Sequence, residues 1–319
     1  MRALRYHRYG SPDVLEIDEL QELSPAAGYA KVRLAAAGLN PVDWKILEGR
    51  LRFVPLFRGP PRGVACDFAG TIVGLGGGAT ERHVGERVMG SLLPFGRDGA
   101  CSEYIVVAYE RLVSLPREID DIQAAALPLA GGTALQALSD HAHLAAGQRV
   151  LVIGAAGGVG HFAVQIAKHR GGHVVAVCSA TNVEFVRQLG ADEVVDYTRD
   201  DFTQREDRFD VVFDTPCASS FSNAKRVLTG SGCYINTGAD TASAISAAMS
   251  AVVARLTSRQ RAIPVILKNG PPIWRRLLDL ARKGVMHAHV RTISMNEVGD
   301  AFRAMATGHG RGKQVVRLD

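Results

Sequence analysis

"GAAGGVGHFAVQIAK", residues 154–168, decides the fold of this chain. It reads as the end of a strand, a glycine turn and the first turns of a helix. Within it, Ala155-Ala156-Gly157-Gly158-Val159-Gly160 follows the pattern G-x-G-x-x-G with alanine in the first position. Gly157 lets a backbone approach a pyrophosphate, and Gly160 lets the helix pack close to the sheet. A helix starting here turns free N–H groups and the positive end of its dipole toward an anion. The motif needs a strand before it and a second strand after its helix. Both are present, as "RVLVIGA" (149–155) and "HVVAVCS" (173–179).

Working outward, the alternation continues. Helix 158–169 is followed by strand 173–179, helix 182–190, strands 193–197 and 209–215, helix 219–229 and strand "GCYINTG" (232–238), with Gly238 at its tip. Val/Ile runs alternating with helices predict a doubly wound parallel sheet covered on both faces. Upstream, "DDIQAAALPLAGGTALQAL" (120–138) is helical in composition, with aspartates at its start. Before that the chain reads as short strands with glycine turns (29–39, 68–76, 85–91, 101–116), which predicts a barrel-like β domain. The tail supplies strand 262–267, helices 271–284 and 296–308 and a terminal strand "KQVVRL".

The tip of the second strand selects the dinucleotide. An NAD site places Asp or Glu there to accept the ribose hydroxyls. Here the sequence is "VVAVCSATNVEF": Ser179, Thr181 and Asn182 offer hydrogen-bond donors, and no carboxylate occurs before Glu184. That favours a 2′-phosphate, and so NADP(H).

Composition excludes other classes. The net charge of +5 is spread along the chain without a basic block, which argues against nucleic-acid binding as a main function. No run approaches a membrane span, and "ASAISAAMSAVVARL" (242–256) reads as a small-residue helix at a packed interface. The N-terminus lacks an apolar signal region, and five scattered cysteines without C-x-x-C fit reduced thiols, so a cytoplasmic protein is expected.

With these residues in place, the whole chain resembles the medium-chain dehydrogenase/reductase superfamily, in its zinc-free quinone oxidoreductase (zeta-crystallin-like) branch. The marks are "AAAGLNPVDWKILEG" (35–49), "GVACDFAGTIVGLG" (63–76), "VGERVMG" (84–90), "LPLAGGTALQAL" (127–138), "LGADEVVDY" (189–197) and "GRGKQVV" (310–316), beside the glycine turn. The resemblance implies a GroES-like catalytic domain from residues 1–118 and 271–319 and a Rossmann domain over 119–270. It also implies a homodimer, for which strand 262–267 is the candidate pairing edge. The positions that ligate catalytic zinc in metal-using relatives hold Asn40, Cys66 and Leu129, a trio that cannot make a three-ligand zinc site. Cys66 beside Asp67 reads as a buried thiol next to a hydrogen-bonded carboxylate.

Without a Lewis acid, quinones and the β-carbon of enones or enals are the fitting hydride acceptors. The resemblance assigns Asn40 and Lys45 to catalysis: Asn40 as a donor to the substrate oxygen or an orienter of the nicotinamide, Lys45 as a ribose contact or proton relay. Asn40 as a turn cap with a solvated Lys45 is the structural alternative. Thr133 resembles a contact to the nicotinamide amide, and Tyr197 the aromatic beside the 2′-phosphate. Many NADPH-using members carry Lys where this chain has Asn182. The substrate loop, "GRLRFVPLFRGPPRG", offers Phe53 and Phe57 in place of the frequent tyrosine. A pathway-specific enoyl reductase and a non-catalytic NADPH-binding redox sensor stand as alternatives.

Overall fold

The computed structural model describes residues 1–54, 58–78, 81–94, 96–238, 259–265 and 267–318. Phe57 and the expected helix at 242–256 lie outside the described residues. The chain divides into two compact units: Met1–Gly132 with Lys268–Thr307 and Lys313–Asp319, and Thr133–Leu267 with Gly308–Gly312. Relative to the division drawn from sequence, residues 119–132 and 268–270 fall in the first unit and the short segment 308–312 in the second.

The second unit is built on six strands in the spatial order Glu193–Asp196, His173–Cys178, Arg149–Ile153, Phe209–Asp214, Leu228–Asn236, Arg261–Pro264. Every neighbouring pair is parallel. This is the doubly wound order 3-2-1-4-5-6. Val150, Leu151 and Val152, and likewise Val174, Val175 and Ala176, are all fully buried, so consecutive residues on opposite faces are both covered. Burial of each Val or Leu side chain contributes about 1.5–3 kcal/mol. One expectation is corrected here. The helix drawn over 219–229 is only Phe221–Ala224, because the chain re-enters the sheet at Leu228, which pairs with Phe209.

In the first unit, Tyr29–Gly38 is the central strand, pairing antiparallel with Asp67–Leu75, Tyr104–Ala108 and the C-terminal strand Lys313–Arg317. Both chain ends therefore share one core, in which Tyr6, Val32, Phe68, Ile72, Phe302 and Val316 are buried together. A three-stranded sheet joins Arg2–Tyr6 to Leu15–Glu19 and Arg62–Gly63. The apolar stretch 120–138 is not one helix. Pro128 has no N–H to continue the ladder, so Asp121–Ala126 stops and Pro128–Leu135 starts afresh. A π turn, Gln136–His141, follows. The first of these helices is capped by Asp120, whose carboxylate accepts the Gln123 amide at 2.7 Å, a contact type that stabilises by about 1 kcal/mol.

Candidate active site

A parallel sheet ends all its strands on one side, and that is where the predicted cofactor residues collect. The first strand stops at Ile153 and the turn begins at Gly154, with φ +73°, a left-handed value that glycine adopts freely. A Cβ on Gly160 would lie 2.1 Å from the Gly154 carbonyl oxygen, so the helix Gly160–His169 approaches the strand as closely as a glycine allows. Ala155 and Ala156 are buried, while Gly157, Gly158 and Val159 are half-exposed at the helix start. The alanines thus shape the turn, and the following three residues present its backbone.

The second strand ends at Cys178 and the third at Asp196, paired with each other, so Ser179 and Tyr197 follow directly at two adjacent strand ends. Asn182 Nδ2 donates to Ser179 Oγ at 3.0 Å, and Ser179 Oγ lies 3.2 Å from Thr181 Oγ1. Asn182 itself is buried, 7% exposed, so it braces Ser179 rather than standing free as a phosphate donor. Tyr197 is half-exposed, with its hydroxyl 3.3 Å from His309 Nδ1. Past the fifth strand, the Gly238 amide donates to Cys217 Sγ at 3.2 Å, joining the tips of the fourth and fifth strands. Thr133 is buried within Pro128–Leu135.

Sequence reasoning missed one contributor. The segment Gly308–Gly312 belongs to this unit and is tied to the same strand tips. Gly312 N donates to Ala156 O at 2.8 Å, and Arg311 donates from Nε to Asn182 Oδ1 and from Nη2 to Thr181 O, both at 2.9 Å. The motif "GRGKQVV" carried the signal, but only the fold assigns it to this place.

In the first unit, the predicted catalytic residues sit on or beside the short helix Pro41–Leu47, with Asn40 at its N-cap. Asn40 is 1% exposed and engaged on every side. Its backbone amide donates to Asp43 Oδ2 at 2.7 Å, and its side-chain amide donates to Asp67 Oδ2 at 2.9 Å and Gly38 O at 3.3 Å. Its Oδ1 accepts from Lys313 Nζ at 2.5 Å, and the same ammonium donates to Leu39 O at 2.6 Å. Asp67 also accepts the Leu129 amide at 3.2 Å. In this arrangement both amide hydrogens of Asn40 are already committed to protein acceptors. A substrate-donor role would draw on the same amide hydrogens that Asp67 and Gly38 now accept. Lys45, half-buried on the same helix, stands 5.7 Å from the Trp44 ring centroid.

This polar knot is electrostatically loaded. Burial pushes the Asp43 carboxyl up to about 7, against the pull of the Asn40 amide and the Lys313 ammonium. Burial also raises Asp67, and the Lys313 ammonium and Asn40 amide oppose it. Burial lowers Lys313, while Asp67 and Asp43 hold its charge in place. The Cys66 thiol is raised well above its usual range by burial and by the two carboxylates, and lies 3.8 Å from Asp43 Oδ1. These donors do not fit zinc. Leu129 offers no ligand atom, Asn40 is committed to Asp67 and Lys313, burial favours the Cys66 thiol over the thiolate, and a lysine occupies the same buried network.

Comparison with known proteins shows the family of the chain. Residues 26–117 match the alcohol dehydrogenase GroES-like domain and residues 189–316 the zinc-binding dehydrogenase family. The chloroplast envelope quinone oxidoreductase homolog of Arabidopsis thaliana is 34% identical, over 99% of this chain and 98% of its own length. The NADPH-dependent alkenal/one oxidoreductase of Arabidopsis thaliana chloroplasts is 30% identical, over 99% of this chain and 79% of its own. The solved quinone oxidoreductase of Coxiella burnetii superposes with a TM-score of 0.90 at 28% identity, covering 100% of this chain and 99% of that one.

Proposed function

The chain belongs to the medium-chain dehydrogenase/reductase superfamily, in its quinone oxidoreductase branch, and from that premise we propose that it reduces a quinone or the β-carbon of a conjugated ketone or aldehyde with NADPH, without zinc. The observation that carries the proposal is the gathering of the glycine turn, Ser179, Tyr197 and Gly238 at one end of a doubly wound sheet, in a chain whose Asn40, Cys66 and Leu129 do not suit a metal. A reduced nicotinamide bound there supplies the hydride. The backbone of 157–159 and the helix dipole behind it receive the pyrophosphate. Thr133 holds the nicotinamide amide.

Hydride arriving at a quinone or at an enone β-carbon leaves negative charge on oxygen, and donors must meet it. Lys45 is the candidate for that charge, or for relaying a proton to it. Asn40 is the candidate for holding the helix Pro41–Leu47 in place, through Asp43, Asp67 and Lys313. NADPH over NADH follows from the missing carboxylate at Ser179. A homodimer paired through Arg261–Pro264, the edge strand of the six-stranded sheet, and a cytoplasmic setting complete the proposal. Among the described residues no helix is long and apolar enough to cross a membrane.

The test follows NADPH absorbance while quinones, enals and enones are offered. Consumption with at least one acceptor class is expected, and the preferred acceptor assigns the chemistry. Tight NADPH binding with no turnover on any acceptor would overturn the reductase reading in favour of a sensor.

A further inference from the structure

Asn182 stands where a lysine would pair with the 2′-phosphate, yet the tip of the second strand is not without a cation. We infer that Arg311, brought back from 129 residues downstream, is the residue that discriminates NADP(H) from NAD(H) in this protein. The inference rests on the NADP(H) reading above and names the group that enforces it.

Four observations place Arg311. Its Nε and Nη2 bonds to Asn182 Oδ1 and Thr181 O fix the guanidinium against the turn that follows the second strand. Its Cζ lies over the Phe185 ring, 4.9 Å from the centroid, which limits the rotamers it must give up on binding. Those two bonds use two of five N–H donors, and the rest remain for an acceptor with several oxygens, the match that makes arginine a phosphate reader. The segment is pinned on both sides of Arg311, by Gly312 N on Ala156 O at 2.8 Å and by His309 near the Tyr197 hydroxyl at 3.3 Å.

The surroundings agree. Asn182 connects Arg311 to Ser179, so the guanidinium and the Ser179 and Thr181 hydroxyls border one patch at the strand tip. The carboxylate in register there, Asp196, is taken up by the Thr198 amide at 3.0 Å and hydroxyl at 2.8 Å. A buried asparagine that grips the arginine replaces the lysine that would have reached the phosphate itself. The charge is kept and its origin is moved along the chain.

The test measures dissociation constants of NADPH and NADH, by titration of the cofactor's fluorescence, for the wild type, Arg311→Ala and Arg311→Gln. Adenosine 2′,5′-bisphosphate and adenosine 5′-monophosphate serve as fragments free of nicotinamide. Thermal melts accompany each variant, and Arg311→Gln keeps a donor for Thr181 O if the alanine variant folds poorly. We expect the wild type to prefer NADPH, and both variants to weaken NADPH and the bisphosphate by about tenfold to a hundredfold, the range of a charge-assisted phosphate contact. NADH and the monophosphate should stay within about twofold. A wild-type preference that survives both substitutions overturns the inference alone, as does parallel weakening of NADPH and NADH, which marks a structural tie. Equal wild-type binding of the two cofactors overturns the NADP(H) reading and the inference with it.

Discussion

The strand tips of the parallel sheet and the polar knot around Asn40 are made of different material. The tips present backbone, hydroxyls and one arginine, half-exposed and ready for a ligand. The knot is buried charge: Asp43, Asp67 and Lys313 are all under 8% exposed and all bond to Asn40, with Asp67 also accepting from the Leu129 amide and Lys313 also donating to Leu39 O. An anion site can be built from one short stretch, because a glycine turn and a helix start carry the needed N–H groups. A buried ion network needs partners that the fold alone can bring together, since each charge left unpaired costs several kcal/mol. The first region is adapted to receive and the second to hold.

That contrast orders the expected effects. Removing the ammonium should cost most. Lys313→Met leaves Asp67 and Asn40 Oδ1 without their cation, and denaturant unfolding should show a loss of about 3–5 kcal/mol. A loss under about 1 kcal/mol would show that the network does not depend on the lysine. Next comes the turn. Gly160→Ala forces a methyl against the Gly154 carbonyl, and both a drop of about 1–3 kcal/mol in stability and weaker cofactor binding should follow.

Asp43→Asn tests the charge in the knot while keeping an acceptor for the Asn40 amide. The folded Asp43 titrates near 7 and the unfolded one near 3.8, so the native state binds more protons between these values. Its contribution is complete below about pH 4 and is lost as pH rises through about 7. Wild-type stability should therefore fall relative to Asp43→Asn over that window, on the order of 4 kcal/mol. Parallel pH profiles for the two proteins would contradict the assignment. The smallest effect is at the exposed rim: Tyr197→Phe removes one hydrogen bond to His309, and calorimetry should detect about 0.5–1 kcal/mol in stability.

The same contrast explains what could be read in advance. Residues 149–215 were legible because strand, turn and helix signals there are local, and their order dictates the sheet. The helix Pro41–Leu47 was not drawn, since seven residues give too short a periodic pattern, although Asn40, Pro41 and Asp43 form its start. The strands Arg2–Tyr6 and Leu15–Glu19 were missed as well, because their mixed polar sequence becomes a strand only by pairing. Arg311 and Lys313 stand in "GRGKQVV" (310–316), a stretch whose local sequence assigns neither a task. Lys313 reaches Asn40 across 273 positions and Arg311 reaches Asn182 across 129, separations that no local rule spans. Asn182 itself was read as a weakened phosphate contact. Its side chain instead carries the arginine.

The proposed hydride transfer needs no zinc, because the zinc-ligand positions of metal-using relatives hold Asn40, Cys66 and Leu129 in this chain. The most direct measurement is NADPH oxidation by the full chain after exhaustive chelation, with the metal content of the same sample quantified and zinc then added back. The account predicts undiminished turnover in metal-depleted protein and no gain from zinc. Activity that disappears on chelation and returns with stoichiometric zinc would contradict it.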